Sequence, residues 1–205
     1  MERTRGISDS GTEIFLASLP ERDIDGEIFP EERAREVLAK RHSLAGRESF
    51  FVWRLLELAV MQTFGQTLEE AGLVKSAGRW SARDFDISIS HGGGALAVAI
   101  SHSPVGVDVE PRIGDDCERI ARRFFNAEEL SEYLASEKSR RRDAFLRIWT
   151  AKEAIFKSRA EAAFAPSEVD SHSQSVYTDI IELCGAEYVI SVATEQEVKI
   201  HNISL

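Results

Sequence analysis

The sequence predicts an α+β protein built from two halves of similar layout. Each half runs from a strand through helical sequence to further strands, and the 205 residues suffice for one large domain or two small ones. We expect the halves to meet near residues 101–104, which divides the chain into an N-terminal half, 1–102, and a C-terminal half, 103–205. No repeat is visible at the level of single residues.

The first half is predicted to open with a strand and two helices. Residues 13–19 are mostly apolar and lie between a glycine and a proline, which is typical of a short strand. Pro30, followed by two glutamates, predicts the start of a helix that runs to about Arg41. Residues 48–65 place apolar side chains every three or four positions, which predicts a helix packed on a core.

A β-hairpin is predicted at the end of the first half. A polar segment at 66–83 is expected to be irregular, and residues 85–89 then alternate apolar and polar side chains, the pattern of a half-buried strand. The glycines at 92–94 indicate a turn, and the apolar residues 95–101 complete the hairpin.

The second half is predicted to contain a strand, a helical region and more strands. Residues 105–110 form the strand, which Pro111 ends, and helical sequence extends from about 116 to 163. Asn126 and Glu129 have the spacing of a capping box. Three further strands are expected at residues 176–183, 187–195 and 198–205.

Composition and charge exclude several classes of protein. The net charge of −10 argues against nucleic acid as the main partner, because that binding depends on neutralising phosphates. The two cysteines have no metal-binding spacing, which favours a reducing compartment. The first twenty residues do not resemble a signal peptide, and no apolar run is long enough to span a membrane. We expect a cytoplasmic protein without a membrane partner.

Three carboxylates are candidates for a metal site. Asp108 and Glu110 lie two residues apart on a strand, so both project from one face, where they either bind a cation or form a solvated surface. Glu153 stands four residues before Lys157 on a predicted helix. This spacing fits a common surface ion pair as well as a third metal ligand. Neither the strand nor the helix alone distinguishes a metal site from a solvated surface.

Four short sequence motifs, taken in their order along the chain, indicate the family more specifically. They are SISH at 88–91, VGVDVE at 105–110, FFNAEE at 124–129 and WTAKEAIFK at 149–157. In this order the chain resembles the 4′-phosphopantetheinyl transferases of the surfactin-synthetase-activating type. The resemblance implies a fold in which two similar α+β subdomains are related by a pseudo-twofold axis, with the active site in the cleft between them.

The resemblance also implies an activity. Members transfer the 4′-phosphopantetheine arm of coenzyme A to a serine of an apo acyl-, aryl- or peptidyl-carrier protein and release adenosine 3′,5′-bisphosphate. Asp108, Glu110 and Glu153 match the family's magnesium ligands. Clustered carboxylates repel one another and need a cation, and oxygen ligands favour Mg²⁺ or Mn²⁺ over zinc. The alternative is a family member that binds coenzyme A or a carrier without catalysis.

Further site residues follow from the same resemblance. Glu153 is the first candidate for accepting the serine proton and Glu110 the second, while Lys157 would stabilise charge on the leaving oxygen. His91 matches a histidine that helps to hold a phosphate of coenzyme A. Arg33, Lys40 and Arg41 either bind the 3′-phosphate of coenzyme A or form a solvated helix face. The full set of predicted coenzyme A contacts is His91, Arg79, Ser90, Lys152, Arg33, Lys40 and Arg41.

The chain departs from the family pattern at two places. Trp80 follows Gly78-Arg79 where the family has a GKP-like segment, and Gly92-Gly93-Gly94 follows His91 where SHS is more usual. The string HGGG also occurs in the oxyanion hole of esterases, but that function needs a GxSxG segment, which the sequence lacks.

The partner is expected to be an acidic carrier protein of fatty-acid, polyketide, nonribosomal-peptide or siderophore synthesis. Local basic clusters either steer this partner by opposite charge or form a solvated helix face. The protein is expected to be a monomer. The basic residues are Arg119, Arg122, Arg123, Lys138, Arg140, Arg141 and Arg142.

Overall fold

A computed structural model describes most of the chain. The described residues are 11–24, 34, 35, 37, 39, 42–76, 79–114, 117–159 and 163–205. The strands are β1 (Gly11–Ser18), β2 (Val74–Ser76), β3 (Arg79–Ser81), β4 (Asp86–Gly92), β5 (Ala95–Ser101), β6 (Gly106–Pro111), β7 (Val176–Leu183), β8 (Ala186–Ala193) and β9 (Glu197–Asn202). The helices are α1 (Leu44–Phe64), α2 (Glu118–Phe124), α3 (Ala127–Ala135) and α4 (Arg141–Arg159), with a 3₁₀ turn at Lys138–Arg140.

The first sheet carries α1 on one face. Its strand order is β4-β5-β1-β9, antiparallel except that β9 runs parallel to β1. Phe50 and Trp53 of α1 are fully buried in one cluster with Phe15 and Val98 of the sheet. The helix ends as predicted at Gly65, whose φ of 67° suits a residue without Cβ.

The second sheet has the order β6-β8-β7 and packs against α4. A Cβ on Gly106 would lie 1.8 Å from the carbonyl oxygen of Ala154, so only glycine lets β6 approach the helix this closely. A capping box at Asn126 and Glu129 starts α3, as predicted.

An apolar cluster joins the two sheets. It contains Ile14 of β1 and Ala97 of β5 together with Val107 of β6 and Val192 of β8. All four side chains are completely buried. The sheets therefore share one core, which fixes the position of β6 relative to β4.

The α+β class is confirmed, and the fold differs from the expected layout in two details. The segment predicted to be irregular contains two short strands, β2 and β3, that pair antiparallel, and Trp80 of β3 contacts Trp53 edge to face at 5.4 Å between ring centroids. The last strand, β9, pairs with β1 in the first sheet. The boundary at 102/103 and the pseudo-twofold axis stay predictions. In the part of the chain that the structure describes, every helix is too short or too polar to cross a membrane.

Candidate active site

Side chains of β4 hold β6 in register. Three polar side chains, spaced two residues apart on β4, accept hydrogen bonds from alternate backbone N–H groups of the segment that forms β6. The polar face of β4 is therefore covered by β6, whereas the sequence pattern predicted a half-buried strand. The pairs are Asp86 with Val105 at 2.8 Å, Ser88 with Val107 at 3.0 Å and Ser90 with Val109 at 3.4 Å.

The three predicted metal ligands converge beside this contact between β4 and β6. One oxygen from each of Asp108, Glu110 and Glu153 lies within 4.8 Å of the other two. Strand β6 supplies two of them from one face, and the close approach of α4 over Gly106 supplies the third. Asp108 is 2% exposed, so the solvated-surface alternative does not describe this face.

Asp108 has one satisfied oxygen and one that is not. Its Oδ1 accepts hydrogen bonds from Lys157 Nζ at 2.7 Å and from Ser90 Oγ at 2.8 Å. Its Oδ2 is buried and accepts no hydrogen bond from the residues that the structure describes. A buried carboxylate oxygen without a partner is costly, and a bound cation would remove this cost.

The electrostatics of the cluster also favour a cation. Burial, followed by the negative charge of Asp108, raises the pKa of Glu153 to about 7. The same two causes raise the pKa of Glu110 to about 7, although Lys157 acts in the opposite direction in both cases. The protein thus holds more negative charge here than one lysine neutralises.

The donor set fits a hard divalent ion. Only carboxylate oxygens converge, without histidine or cysteine, and such ligands suit Mg²⁺ or Mn²⁺ better than zinc. Three protein ligands are fewer than the octahedral set that Mg²⁺ takes, so water or other oxygen ligands would complete its coordination. Among the described residues this is the one group of three or more acidic, histidine or cysteine side chains with metal-binding geometry.

His91 follows directly after Ser90 on β4, and its side chain contacts α1. Its Nδ1 is 3.4 Å from Oε2 of Glu48, a buried residue of α1. A Cβ added to Gly92 would lie 3.8 Å from Oε2 of Glu110, so the turn after His91 packs on the carboxylates. The structure brings Ser90 and Lys157 together with the three carboxylates, and it places the turn after His91 against Glu110.

Two other predicted coenzyme A contacts are engaged elsewhere. Arg79 is ion-paired with Asp86 and donates to the carbonyl oxygen of Val105 at 2.9 Å. It therefore links β3 to the start of β4 and to the residue before β6. Lys152 has no exposed side-chain surface and is ion-paired with Glu129. The remaining predicted contacts, Arg33, Lys40 and Arg41, lie outside the described residues.

The basic residues near α2 and α4 are partly engaged within the chain. Arg122 and Arg141 both bind Glu118, at 2.5 Å and 3.4 Å. Arg142 donates to Cys117 Sγ at 2.6 Å and to the carbonyl oxygen of Ile113 at 2.8 Å. These contacts leave less free positive charge on this face than the sequence indicates.

Sequence reasoning missed Glu48. It shares the buried face of α1 with Val52, Leu55 and Ala59, which lie 4, 7 and 11 residues further along. A carboxylate at a core position of a helix is rare unless it has a partner, and this spacing was the available signal.

Comparisons with known proteins agree with the geometry. A family model described as the 4′-phosphopantetheinyl transferase superfamily matches residues 104–200, which include all three carboxylates and Lys157. Over 96 residues, 47% of the chain, it is 33% identical to the 4′-phosphopantetheinyl transferase Sfp of Bacillus subtilis, of which 42% is covered. Over 86 residues, 41% of the chain, it is 38% identical to the 4′-phosphopantetheinyl transferase AcpT of Salmonella typhi, of which 45% is covered.

A longer match has lower identity. The chain is 30% identical over 122 residues to the 4′-phosphopantetheinyl transferase ffp of Bacillus subtilis, which covers 54% of the chain and 53% of that protein. The chain thus spans about half the length of the curated relatives it matches. The resemblance predicted from the sequence is confirmed: residues 104–200 match the 4′-phosphopantetheinyl transferase superfamily, and the relatives that the chain matches are named 4′-phosphopantetheinyl transferases.

Proposed function

We propose that this protein transfers the 4′-phosphopantetheine arm of coenzyme A to a serine of an apo-carrier protein. The observation that carries the proposal is the convergence of Asp108, Glu110 and Glu153, one of which has an unsatisfied buried oxygen. These residues lie in the stretch that matches the superfamily, and three relatives are named 4′-phosphopantetheinyl transferases.

Asp108, Glu110 and Glu153 would hold a magnesium ion. When bound, Mg²⁺ would neutralise negative charge on the pyrophosphate of coenzyme A and on the leaving oxygen. Asp108 is already oriented for this purpose by Ser90 and Lys157, which fix Oδ1 and leave Oδ2 available.

The transfer exchanges one bond to phosphorus for another. The serine oxygen of the carrier forms a bond to the phosphorus next to pantetheine, the bond to the pyrophosphate bridging oxygen breaks, and adenosine 3′,5′-bisphosphate leaves. Glu153 accepts the serine proton, directly or through a water, and Glu110 is the second candidate. Lys157 Nζ, 2.7 Å from Asp108, supplies positive charge near the leaving group.

The phosphate contacts are assigned to residues at the cluster. His91 and Lys157 are both partly exposed; Lys157 contacts Asp108, and the turn after His91 packs against Glu110, which supports a phosphate contact for each. Ser90 acts mainly through Asp108, and Arg79 and Lys152 have a structural role because other residues of the chain engage them. For Arg33, Lys40 and Arg41 a contact with coenzyme A stays a prediction.

One assay tests the function. The protein is incubated with coenzyme A, Mg²⁺ and an apo-carrier protein, and the carrier is then weighed by mass spectrometry. A gain equal to one phosphopantetheine arm, lost when Mg²⁺ is chelated with EDTA, supports the proposal. Unchanged carrier mass together with measurable binding of coenzyme A would instead indicate the non-catalytic alternative.

A further inference from the structure

Glu48 is a buried carboxylate beside the site that the proposed chemistry does not use. It projects from the first turns of α1, and its side chain is 6% exposed. Its Oε1 accepts a hydrogen bond from the backbone N–H of Gly94 at 2.7 Å, and its Oε2 lies 3.4 Å from Nδ1 of His91. One carboxylate therefore contacts both ends of the segment His91 to Gly94.

The three glycines of this segment make that contact possible. Gly93 and Gly94 have φ angles of 58° and 90°, in the left-handed region that favours glycine. A Cβ on Gly93 would lie 2.9 Å from the ring of Pro111, so the turn packs directly on the end of β6. The carbonyl oxygen of Gly93 accepts a hydrogen bond from Tyr188 at 2.7 Å. The second sheet thus fixes the turn on one side, and Glu48 fixes it on the other.

The orientation of the histidine follows from this arrangement. The contact between Nδ1 of His91 and Glu48 is an ion-pair distance without hydrogen-bond geometry. The negative charge of Glu48 favours a proton on the nearer nitrogen, Nδ1, and Nε2 is then the nitrogen directed away from the carboxylate. The His91 side chain is 27% exposed, so the ring is accessible on the side that Glu48 does not cover. Glu48 also acts on Glu110 by its charge, which places it within electrostatic range of the carboxylate cluster.

We propose that Glu48 is a positioning residue: it holds Nδ1 of His91 so that Nε2 is presented to a phosphate of coenzyme A. The triple glycine allows the turn to close on Glu48, which explains why HGGG stands where the family more often has other residues. The inference rests on the proposed function, because the ligand of His91 is the substrate of that reaction.

The variant Glu48→Gln tests the inference with little change in shape. A glutamine can still accept the hydrogen bond from Gly94, but it removes the negative charge beside Nδ1. We expect the KM for coenzyme A to rise about tenfold while the KM for the carrier protein stays within about twofold, the size of effect typical for a partner that orients a ligating histidine. The matched control is Glu57→Gln on the same helix, whose carboxylate binds Arg54 instead. Its KM values should equal those of the wild type.

A double variant separates positioning from a general structural effect. If Glu48 acts through His91, the KM for coenzyme A of the double variant Glu48→Gln/His91→Ala should equal that of His91→Ala alone. Effects of the two substitutions that simply multiply would overturn the inference. So would a Glu48→Gln enzyme with the same KM for coenzyme A as the Glu57→Gln control.

A spectroscopic measurement decides the question without any transfer reaction. In ¹⁵N-labelled protein the ring signals of His91, identified by their loss in His91→Ala, should show Nδ1 protonated. Coenzyme A should shift the Nε2 signal, and Glu48→Gln should shift Nδ1. Ring signals that are the same in wild type and Glu48→Gln overturn the inference even if transfer occurs. A protein that modifies no carrier but shows these signals refutes the proposed function alone.

Discussion

Helix α4 carries two lysines, five residues apart, that each meet a buried carboxylate with a different result. Lys152 and Glu129 are both fully buried, and Glu129 also accepts hydrogen bonds from the backbone N–H groups of Asn126 and Ser171. Lys157 is 26% exposed and meets Asp108, whose second oxygen is buried without a hydrogen-bond donor among the described residues. We call Lys152–Glu129 the complete pair, because both oxygens of Glu129 accept hydrogen bonds within the chain. We call Lys157–Asp108 the incomplete pair, because one oxygen of Asp108 does not.

The difference distinguishes a structural ion pair from a binding site. Burial raises the pKa of Glu129, but the hydrogen bonds from Lys152, Ser171 and Asn126 outweigh it and leave that pKa below its ordinary value. At the other pair, burial and the charge of Asp108 raise the pKa of Glu110 and Glu153 to about 7. The folded chain therefore stabilises Glu129 as an anion. It disfavours the charged forms of Glu110 and Glu153 unless a proton or a cation neutralises them.

Breaking the complete pair should have the largest effect on stability. Glu129→Ala leaves the ammonium ion of Lys152 buried without its carboxylate and removes the capping box of α3. We expect the free energy of unfolding to fall by about 3–5 kcal/mol, measured by urea denaturation. The control is Glu118→Ala, which removes partly exposed ion pairs with Arg122 and Arg141 and should cost less than about 1 kcal/mol. Similar losses for both variants would contradict the distinction between the pairs.

Breaking the incomplete pair should lower the transfer rate strongly and the free energy of unfolding only slightly. Asp108→Asn keeps the shape of the side chain but removes a charge and weakens the proposed cation site. We expect the transfer rate to fall by about a hundredfold or more, the range seen when one group that stabilises a transition state is lost. The free energy of unfolding without metal should change by less than about 1.5 kcal/mol, because one oxygen of Asp108 is already unsatisfied. The wild-type rate of transfer by purified Asp108→Asn would refute the metal assignment.

The sequence predicted the members of the incomplete pair better than those of the complete one. The spacing of Asp108 and Glu110 put both carboxylates on one face, and the helix pattern placed Glu153 and Lys157 one turn apart. Lys152 was predicted from the resemblance to contact coenzyme A, and the sequence alone shows only that it neighbours Glu153. Its burial depends on the packing of α3 against α4, and Glu129 is 23 residues away in the chain.

The same limit applies to β4. The alternation of Asp86, Ser88 and Ser90 predicts a strand with one polar face, but it does not say what covers that face. In the fold, the backbone N–H groups at β6 occupy it, so the polar side chains serve as hydrogen-bond acceptors within the core. Partners that lie far apart in the sequence cannot be assigned from local spacing alone.

The contributions of the two carboxylate sites to the free energy of unfolding should change with pH in opposite directions. Glu110 and Glu153 have pKa values raised from 4.5 to about 7, so between these values the metal-free folded protein binds more protons than the unfolded chain. Their contribution to the free energy of unfolding is therefore present at low pH and lost as the pH rises through about 7. Glu129, whose pKa is lowered, contributes above its ordinary value of 4.5 and loses that contribution as the pH falls.

Thermal unfolding with and without Mg²⁺ checks this behaviour. Because the carboxylates must lose their protons to bind the ion, the increase in Tm caused by Mg²⁺ should be small at pH 5.5 and larger at pH 7.5. Asp108→Asn should remove most of the increase. An increase of equal size at both pH values would show that Mg²⁺ does not compete with protons at this cluster.

The smallest expected effects come from two neighbouring serines that differ only in what they orient. Ser88 Oγ accepts the N–H of Val107, whereas Ser90 Oγ accepts that of Val109 and also donates to Asp108 Oδ1. Ser88→Ala and Ser90→Ala should each lower the free energy of unfolding by about 1 kcal/mol, since each removes a buried hydrogen-bond partner. Only Ser90→Ala should also weaken the increase in Tm that Mg²⁺ produces, because Asp108 then loses a donor that fixes its orientation. If both variants keep the full increase, Lys157 alone is sufficient to position Asp108, and the hydrogen bond from Ser90 has a purely structural role.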